Sequence, residues 1–333
     1  MNRLAYLDWC KLIALFLVVY CHIPPCDNAF HVITYSYHMP LFFLISGMLY
    51  NKQDIRTLCK RGTKTLLIPY LSLNLIGLFI YACIALAVSS FNVEKNVINP
   101  FIGIIFGSTD SHEPYPLPLG PSWFLLALYI ARIGCAWVVH SPTILLRSIK
   151  ISVIILLATA LPQIFDACLW SLDSAASGSL FMLSGYYLKH IVETIRSKKE
   201  TLNLCLFALV PTLCTLALLN GQTDMFSATY GKIGLPMFFI TGILGTCCML
   251  IVCNNAPDNK YPAFLAVFMK ASLFIICMQL LYLDYAALIF QKLSGYNEPF
   301  YIYHKLALTL SFFILSYGIV RIWPQRLNFF IGK

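Results

Sequence analysis

Long apolar runs dominate the pattern of hydrophobic and polar positions along the chain. Ten of them have the length of about 20 residues that an α-helix needs to cross the hydrocarbon core of a bilayer. They cover approximately residues 4–23, 30–50, 66–89, 122–140, 148–165, 172–190, 202–220, 233–253, 263–285 and 303–323. His38 and Pro40 interrupt the second run, and the fifth is short. The pattern predicts an all-α polytopic membrane protein, a bundle of about ten transmembrane helices in one domain spanning residues 1–333.

The composition supports this interpretation and excludes other classes. Hydrophobic residues make up 59% of the chain and charged residues only 11%. An ordinary soluble domain has about a quarter charged residues, so this chain cannot cover itself with polar surface. The alternation typical of an outer-membrane β-barrel is absent, and the apolar runs are too long for it. The sequence shows no metal-ligand spacing and no basic patch interleaved with aromatic residues, so we expect neither a metal site nor nucleic-acid binding.

Charges segregate between the two sets of loops. The net charge is +9, and most basic residues follow the second, fourth, sixth and tenth runs. These residues include Lys52, Arg56, Lys60, Arg61, Lys64, Arg147, Lys150, Lys189, Arg196, Lys198, Lys199, Arg326 and Lys333. The opposite loops hold most of the acids: Asp27, Glu94, Asp110, Glu113, Asp166, Asp173, Asp224 and Glu298. Because cytoplasmic loops are rich in Lys and Arg, both termini are predicted to be cytoplasmic.

The longest connection, residues 90–121, falls on the acidic, extracytoplasmic side. It contains five prolines, three glycines and an apolar patch over residues 101–106. We predict an ordered outer loop that folds back toward the bundle.

The first apolar run carries two ionisable residues on one helical face. Lys11 and His22 are eleven positions apart, which places them about 20° apart around a helix and roughly 16 Å apart along it. Ionisable groups at membrane depth usually face the bundle interior and mark a functional site. For Lys11 the structural alternative is an ion pair with Asp8, one turn away. For His22 it is an interfacial position at a helix end.

His38, in the second run, is predicted on the same outer side as His22, so the two histidines can converge. Tyr35 and Tyr37 flank His38, and an interfacial aromatic belt explains the same pattern. At the cytoplasmic end of the third run, Arg61 and Lys64 are one turn apart and can face one anion. From charge alone, topology explains these basic residues better than a binding site does.

Three short segments resemble one another: 43–47 (FLISG), 181–185 (FMLSG) and 238–242 (FFITG). Their spacings are unequal. Small residues at helix contacts account for them as well as duplication does.

Four motifs in order resemble those of the membrane acyltransferase-3 family. Lys11, ten residues and His22 resemble the family's Arg/Lys–ten–His pattern, and residues 43–47 resemble its Phe-x-x-Ser-Gly stretch. Residues 61–64, followed by 67–70 (LIPY), resemble its cytoplasmic basic motif, and 122–125 (SWFL) resembles its Trp-Phe-Leu segment. Residues 38–40 are most similar to the fucose 4-O-acetylase-like branch. The chain departs from the pattern in having Lys11 and Lys64 where Arg is usual, and Gln279 where many members have His.

The resemblance implies an O-acyltransferase that uses cytoplasmic acetyl-CoA and a glycan acceptor, soluble or lipid-linked, reached from outside. It implies His22 as general base and Arg61 and Lys64, with Lys60, as ligands of the CoA phosphates. Candidates for the oxyanion donor or for contacts with substrate are Lys11, Ser46, His38, Trp123, Asp8 and Gln279. It also implies a bacterial inner membrane, contact with lipid, and no fused extracytoplasmic esterase-like domain.

Three alternatives stay open at this level. An acyl-histidine intermediate leads to the same product as direct transfer. Ten helices with buried Lys and His also suit a transporter or flippase of a glycan or small metabolite, although clear paired repeats are lacking. A structural membrane subunit would need Lys11 and Asp8 only as an ion pair.

Overall fold

The computed structural model describes residues 5–26, 28–87, 91–107, 115–165, 168–256, 261–294 and 301–332, without the side chains of residues 293 and 294. Within these ranges the chain folds into α-helices and no β-strand, which confirms the all-α prediction. The helices are α1 (Ala5–Cys21), α2 (Ala29–Tyr35), α3 (His38–Met48), α4 (Ile55–Gly62), α5 (Ile68–Ala87), α6 (Asn99–Phe106), α7 (Trp123–Val139), α8 (Ile144–Ile164), α9 (Leu172–Ile195), α10 (Lys199–Asn220), α11 (Leu235–Cys253), α12 (Ala263–Ser294) and α13 (Ile302–Arg321).

Several of these helices are long and apolar enough to span a bilayer. By length and composition, seven helical segments within the described residues qualify: Ile55–Ala87, Gly120–Val139, Ile144–Ile164, Lys199–Asn220, Leu235–Asn254, Ala263–Lys292 and Ile302–Arg321. The chain is therefore a polytopic membrane protein. The predicted runs 4–23 and 172–190 correspond to α1, which has 17 residues, and to the more polar α9. The count of ten spans and the side of each terminus remain predictions.

The predicted run 30–50 is not one helix, and this expectation was wrong. The chain forms α2 and α3, separated at Ser36 and Tyr37. Pro40 explains the break, because a proline has no N–H to donate to the carbonyl four residues earlier, and its ring would clash with that carbonyl at Ser36. The helix restarts at His38, which places Pro40 in the first turn, where its missing N–H costs little.

The basic segment before the third run is helical, where the sequence suggested a loop. The amphipathic helix α4 continues through a π-helical turn, Thr63–Leu67, directly into α5. π-turns inside α-helices often occur at functional sites. Lys64 lies within this turn, so the basic motif sits on a rigid element joined to a membrane-spanning helix.

The similar segments 43–47 and 181–185 pack against each other at the contact between α3 and α9. A Cβ at Gly47 would collide with the backbone of Met182, and a Cβ at Gly185 would collide with the backbone of Leu44. Gly47 therefore meets Met182, three residues before Gly185, and Gly185 meets Leu44, three residues before Gly47. Close approach of two backbones requires small residues, so the contact supplies the physical reason for the repeated motif.

The predicted outer loop 90–121 contains α6, which folds back onto the bundle. The Tyr70 hydroxyl donates to the Ile104 carbonyl at 2.7 Å, and the Trp170 indole N–H donates to the Ile105 carbonyl at 3.0 Å. Residues 88–90 and 108–114 lie outside the described ranges. One face of α6 therefore packs against the bundle with Gly103 and Ile104 buried, while Phe101, Ile105 and Phe106 stay exposed.

Candidate active site

A cavity of about 270 Å³ lies inside the bundle, where the ends of α1, α3 and α7 meet α12 and the connection between α10 and α11. Its walls are mostly apolar, and a few polar groups converge on it, as is usual for small-molecule sites. It is lined by Val18, His22, Tyr35, His38, Met39, Phe42, Gly120, Pro121, Trp123, Asp224, Phe226, Ile276, Gln279 and Leu280.

His22 follows the last residue of α1, and the helix end fixes its ring. Its Nδ1 lies 2.6 Å from the carbonyl oxygen of Val18, one turn earlier. A carbonyl only accepts hydrogen bonds, so Nδ1 carries the proton and Nε2 has the free lone pair. His22 therefore has the tautomer that a general base needs, with its basic nitrogen not engaged by this backbone contact.

His38, at the start of α3, also lies on the cavity. Its Nδ1 bonds to the carbonyl of Thr34 at 3.0 Å, and only 3% of the residue is exposed. The Tyr35 ring lies near both histidines, with its centroid 4.6 Å from that of His38 and 6.2 Å from that of His22. Tyr35 is the last residue of α2 and His38 is the first residue of α3.

Asp224 faces His22, and sequence reasoning counted it only among the outer-side acids. Its carboxylate accepts the N–H of Phe226 at 2.9 Å, and its backbone pairs with Thr229 in both directions, at 2.7 and 2.8 Å. Burial raises the pKa of Asp224, while the Phe226 N–H and the charge of His22 act in the opposite direction. The position of the carboxylate depends on a loop closure that no motif predicts.

Trp123 opens α7, and a buried amide fixes its position. The Asn74 side chain on α5 accepts the N–H of Leu119 at 3.1 Å and donates to the Ser122 hydroxyl at 2.8 Å. Asn74 and Ser122 are fully buried. These bonds hold the turn before α7, which places the Trp123 ring in the cavity wall. Sequence reasoning missed Asn74, although a buried amide in an apolar helix is a signal for such a contact.

Gln279 on α12 contributes an unsatisfied acceptor to the cavity. Its Nε2 donates to the Ile276 carbonyl at 3.2 Å. Its Oε1 is buried and has no hydrogen-bond partner among the described residues. A buried acceptor without a donor is costly, so a hydroxyl or water in the cavity would stabilise it.

Three predicted residues lie outside the cavity. Lys11 Nζ is 3.6 Å from Asp8 Oδ1, which is the ion pair that the structural alternative expected. Asp8 also accepts the Tyr261 hydroxyl at 2.7 Å. Ser46, on α3, follows His38 by eight residues, roughly 12 Å along the helix. Lys11 precedes His22 by eleven residues, roughly 16 Å along α1, and does not line the cavity.

Lys60, Arg61 and Lys64 are exposed on α4 and its π-turn, away from the cavity. Arg61 donates to the Gln53 side chain at 2.9 Å. The predicted site residues therefore fall into three groups. His22, His38, Trp123 and Gln279 meet at one cavity. Asp8, Lys11 and Ser46 lie outside it, and Lys60, Arg61 and Lys64 form a separate exposed patch.

Fold and cavity together define a polytopic membrane protein with an internal histidine site. The sequence model of the family described as "Acyltransferase domain" (acyltransferase-3) matches residues 4–332, nearly the whole chain. The chain belongs to this family and is a membrane acyltransferase. No curated protein and no solved structure matches it significantly.

Proposed function

We propose that this membrane acyltransferase transfers an acetyl group from cytoplasmic acetyl-CoA to a hydroxyl of a cell-surface or lipid-linked glycan, in a bacterial inner membrane. The observation that carries the proposal is the cavity containing His22, whose Nδ1 bonds to the Val18 carbonyl at 2.6 Å. A sugar hydroxyl is a poor nucleophile near neutral pH and needs a base such as imidazole. The family membership supports the acyl donor, and the polar groups of the cavity support a hydroxyl acceptor.

His22 carries one proton in this reaction, from the hydroxyl of the glycan to the leaving CoA thiolate. Nε2 removes the proton of the acceptor hydroxyl while the oxygen attacks the thioester carbonyl, giving a tetrahedral oxyanion and an imidazolium. Collapse of this intermediate breaks the carbon–sulfur bond and releases the CoA thiolate, which takes the proton back from His22. The products are an O-acyl ester and free CoA.

The neighbouring groups have distinct tasks in this scheme. Asp224 lies where its carboxylate stabilises the imidazolium as it forms. The Trp123 indole N–H is the candidate donor to the oxyanion. His38 donates its Nδ1–H to the Thr34 carbonyl, so its neutral ring offers only the lone pair of Nε2, which can accept a hydrogen bond from a hydroxyl of the glycan. Gln279 Oε1 accepts a hydrogen bond from a hydroxyl of the glycan. This bond gives the oxygen the partner that it lacks among the described residues.

The donor approaches from the opposite end of the bundle. Exposed Arg61 and Lys64, with Lys60, bind phosphate groups of CoA through charge-assisted hydrogen bonds. The pantetheine arm then extends along the interior toward His22. Lys11 and Ser46 lie between these two ends, where they contact the arm, and Asp8 orders Lys11 through their ion pair.

Two measurements on the purified protein in detergent test the identity of the acyl donor and the reaction. Acetyl-CoA should raise the melting temperature while equimolar free acetate does not, and acetyl-CoA should be consumed only when a glycan acceptor is present. His22→Ala should retain the shift with acetyl-CoA and lose turnover. A protein that moves glycan across vesicles without consuming acetyl-CoA would instead be a transporter.

A further inference from the structure

A second space lies beside the His22 cavity and opens at the surface of the protein. Its volume is about 590 Å³, and small-molecule sites usually have volumes of roughly 300–1,000 Å³. It lies between α2 and the loop that joins α10 to α11, and we call it the loop pocket. Tyr35 and Asp224 line both this pocket and the His22 cavity, so the two spaces share a wall. The lining of the loop pocket includes His31, Tyr35, Gln222, Thr223, Asp224 and Thr229.

Hydrogen bonds within the loop and from neighbouring helices fix its shape. The backbones of Asp224 and Thr229 pair in both directions, at 2.7 and 2.8 Å. The buried Asn220 side chain, at the end of α10, bonds to the loop backbone twice, each time at 2.9 Å. From α9, the buried Ser174 hydroxyl donates to the Met225 carbonyl at 2.7 Å. The pocket is therefore formed before a ligand binds, which lowers the entropic cost of binding.

Amide, hydroxyl and aromatic groups line the loop pocket. The exposed Gln222 amide offers donors and an acceptor. Thr223 is 2% exposed, and its hydroxyl has no hydrogen-bond partner among the described residues, so a hydroxyl of a ligand would stabilise it. The rings of His31 and Tyr35 stack with their centroids 3.8 Å apart and supply an aromatic surface for C–H groups. This combination suits a compact ligand that has many hydroxyls, such as a sugar residue.

The loop pocket offers no cation that would pair with an acidic ligand. No lysine or arginine is among the described residues that line it, and Asp224 contributes a carboxyl group. Lys232 follows in the same loop, and Lys305 donates to the Pro25 carbonyl at 2.8 Å, but neither residue lines the pocket. A carboxylate or phosphate enclosed here would lose its hydration without gaining a counter-charge. The pocket therefore favours an uncharged ligand.

We propose that the loop pocket binds an uncharged sugar residue of the acceptor glycan, next to the residue whose hydroxyl reacts at His22. The assignment rests on the proposed function and narrows its acceptor to glycans that carry a neutral hexose beside the acylated residue. Because Tyr35 and Asp224 stand between the two spaces, adjoining sugar residues of one glycan occupy one space each. Gln222 and Thr223 bind hydroxyls of the neutral hexose and determine which glycans are accepted.

Saturation-transfer NMR detects weak binding of sugars to the full-length protein in lipid nanodiscs, which contain no glycosidic detergent. The probes are the methyl glycosides of glucose, galactose and mannose and those of the matching uronic acids, which carry a carboxylate at C6. At least one neutral glycoside should bind about tenfold more tightly than its uronide, because the pocket has no cation for the carboxylate. Asp224→Asn should reduce this preference to about threefold, since it removes the like charge.

Two variants test whether the glycosides bind in the loop pocket. Gln222→Ala should weaken binding of the neutral glycoside by about fivefold, because one hydrogen bond is lost. Gln163→Ala, at an exposed glutamine of α8, is the matched control and should bind as the wild type does. Thr223→Val should weaken binding by a similar factor without lowering the melting temperature of the free protein, because the hydroxyl it removes has no partner among the described residues. A merely structural role of Thr223 would lower the melting temperature and leave binding unchanged.

Acetyl-CoA distinguishes failure of this inference from failure of the proposed function. If the protein binds and consumes acetyl-CoA, but uronides bind as tightly as neutral glycosides or both variants bind as the wild type does, this inference is wrong and the proposed function stands. Absence of binding by every glycoside would also overturn the inference. If neutral glycosides bind and both variants weaken them, while acetyl-CoA neither stabilises the protein nor is consumed, the pocket is a sugar site and the proposed acyl transfer is wrong.

Discussion

The cavity around His22 and the exposed patch of Lys60, Arg61 and Lys64 differ in their surroundings. His38 at the cavity is 3% exposed and its ring is fixed by a backbone bond, whereas Lys60, Arg61 and Lys64 are exposed to solvent. In an enclosed, low-dielectric site a single hydrogen bond or charge has a large effect, and at an exposed position solvent and salt screen it. We therefore expect substitutions at the cavity to alter the rate of chemistry and substitutions at the patch to alter the capture of the donor.

The largest expected effect comes from His22→Ala. Loss of a general base lowers turnover by about a hundredfold to ten-thousandfold. The apparent affinity for acetyl-CoA should change little, because the exposed patch is intact. Steady-state assays in detergent, with His190→Ala as the control at an exposed histidine, check this difference. Normal turnover by folded His22→Ala would remove the distinction between the two regions.

Asp224→Asn should lower turnover by about tenfold to a hundredfold, since the imidazolium that forms on His22 loses its neighbouring negative charge. Ser227→Ala tests the same loop without removing the carboxylate, because the Ser227 hydroxyl is 3.4 Å from Asp224 Oδ2. This control should retain nearly normal turnover. If the two variants are equally impaired, the loop matters and the charge of Asp224 does not.

Gly47→Ala should destabilise the bundle by about 1–3 kcal/mol, because the added methyl group would meet the backbone of Met182. Gly318→Ala is the matched control, since a Cβ at Gly318 has open space around it. The melting temperatures of the two variants compare a glycine at a tight helix contact with a glycine that has open space around it. A Gly47→Ala protein as stable as Gly318→Ala would contradict the close packing of α3 and α9.

Arg61→Gln should raise the acetyl-CoA concentration for half-maximal rate by about fivefold and leave the maximal rate unchanged, because exposed charge pairs contribute about 1 kcal/mol or less. The difference should shrink as salt increases. Arg56→Gln, on the same helix but turned away from Arg61, provides the comparison. A fall in maximal rate with unchanged affinity would place the patch in the chemical step.

The smallest effect concerns the pH dependence of stability. Burial raises the pKa of Asp224, so its carboxyl group stays protonated to a higher pH in the folded chain than in the unfolded chain. The stability contributed by the protonated form is present below the unfolded pKa and is lost as pH rises through the folded pKa. Asp224→Asn should reduce this decline when melting temperatures are measured between acidic and neutral pH, and an unchanged profile would argue against burial of the carboxyl.

The sequence predicted much of the architecture because membrane helices leave a strong local signal. Nine of the ten apolar runs form one helix each over the residues that the structure describes, and the run 30–50 forms two. Backbone polar groups in lipid must be satisfied within the segment, which favours helices. Four motifs in order, of which Lys11 and His22 form the first, also indicated the family. The one broken run, 30–50, was marked in advance by Pro40, although the position of the break depended on where the helix could restart.

The tertiary structure alone decided which polar residues meet. Asp224 and Asn74 are far from His22 in the sequence, and no periodic pattern connects the three residues. Their positions follow from loop closure and from buried hydrogen bonds, which depend on the packing of several helices at once. Composition and periodicity therefore determined the class of this protein, while the convergence of α1, α3, α7 and α12 determined its site.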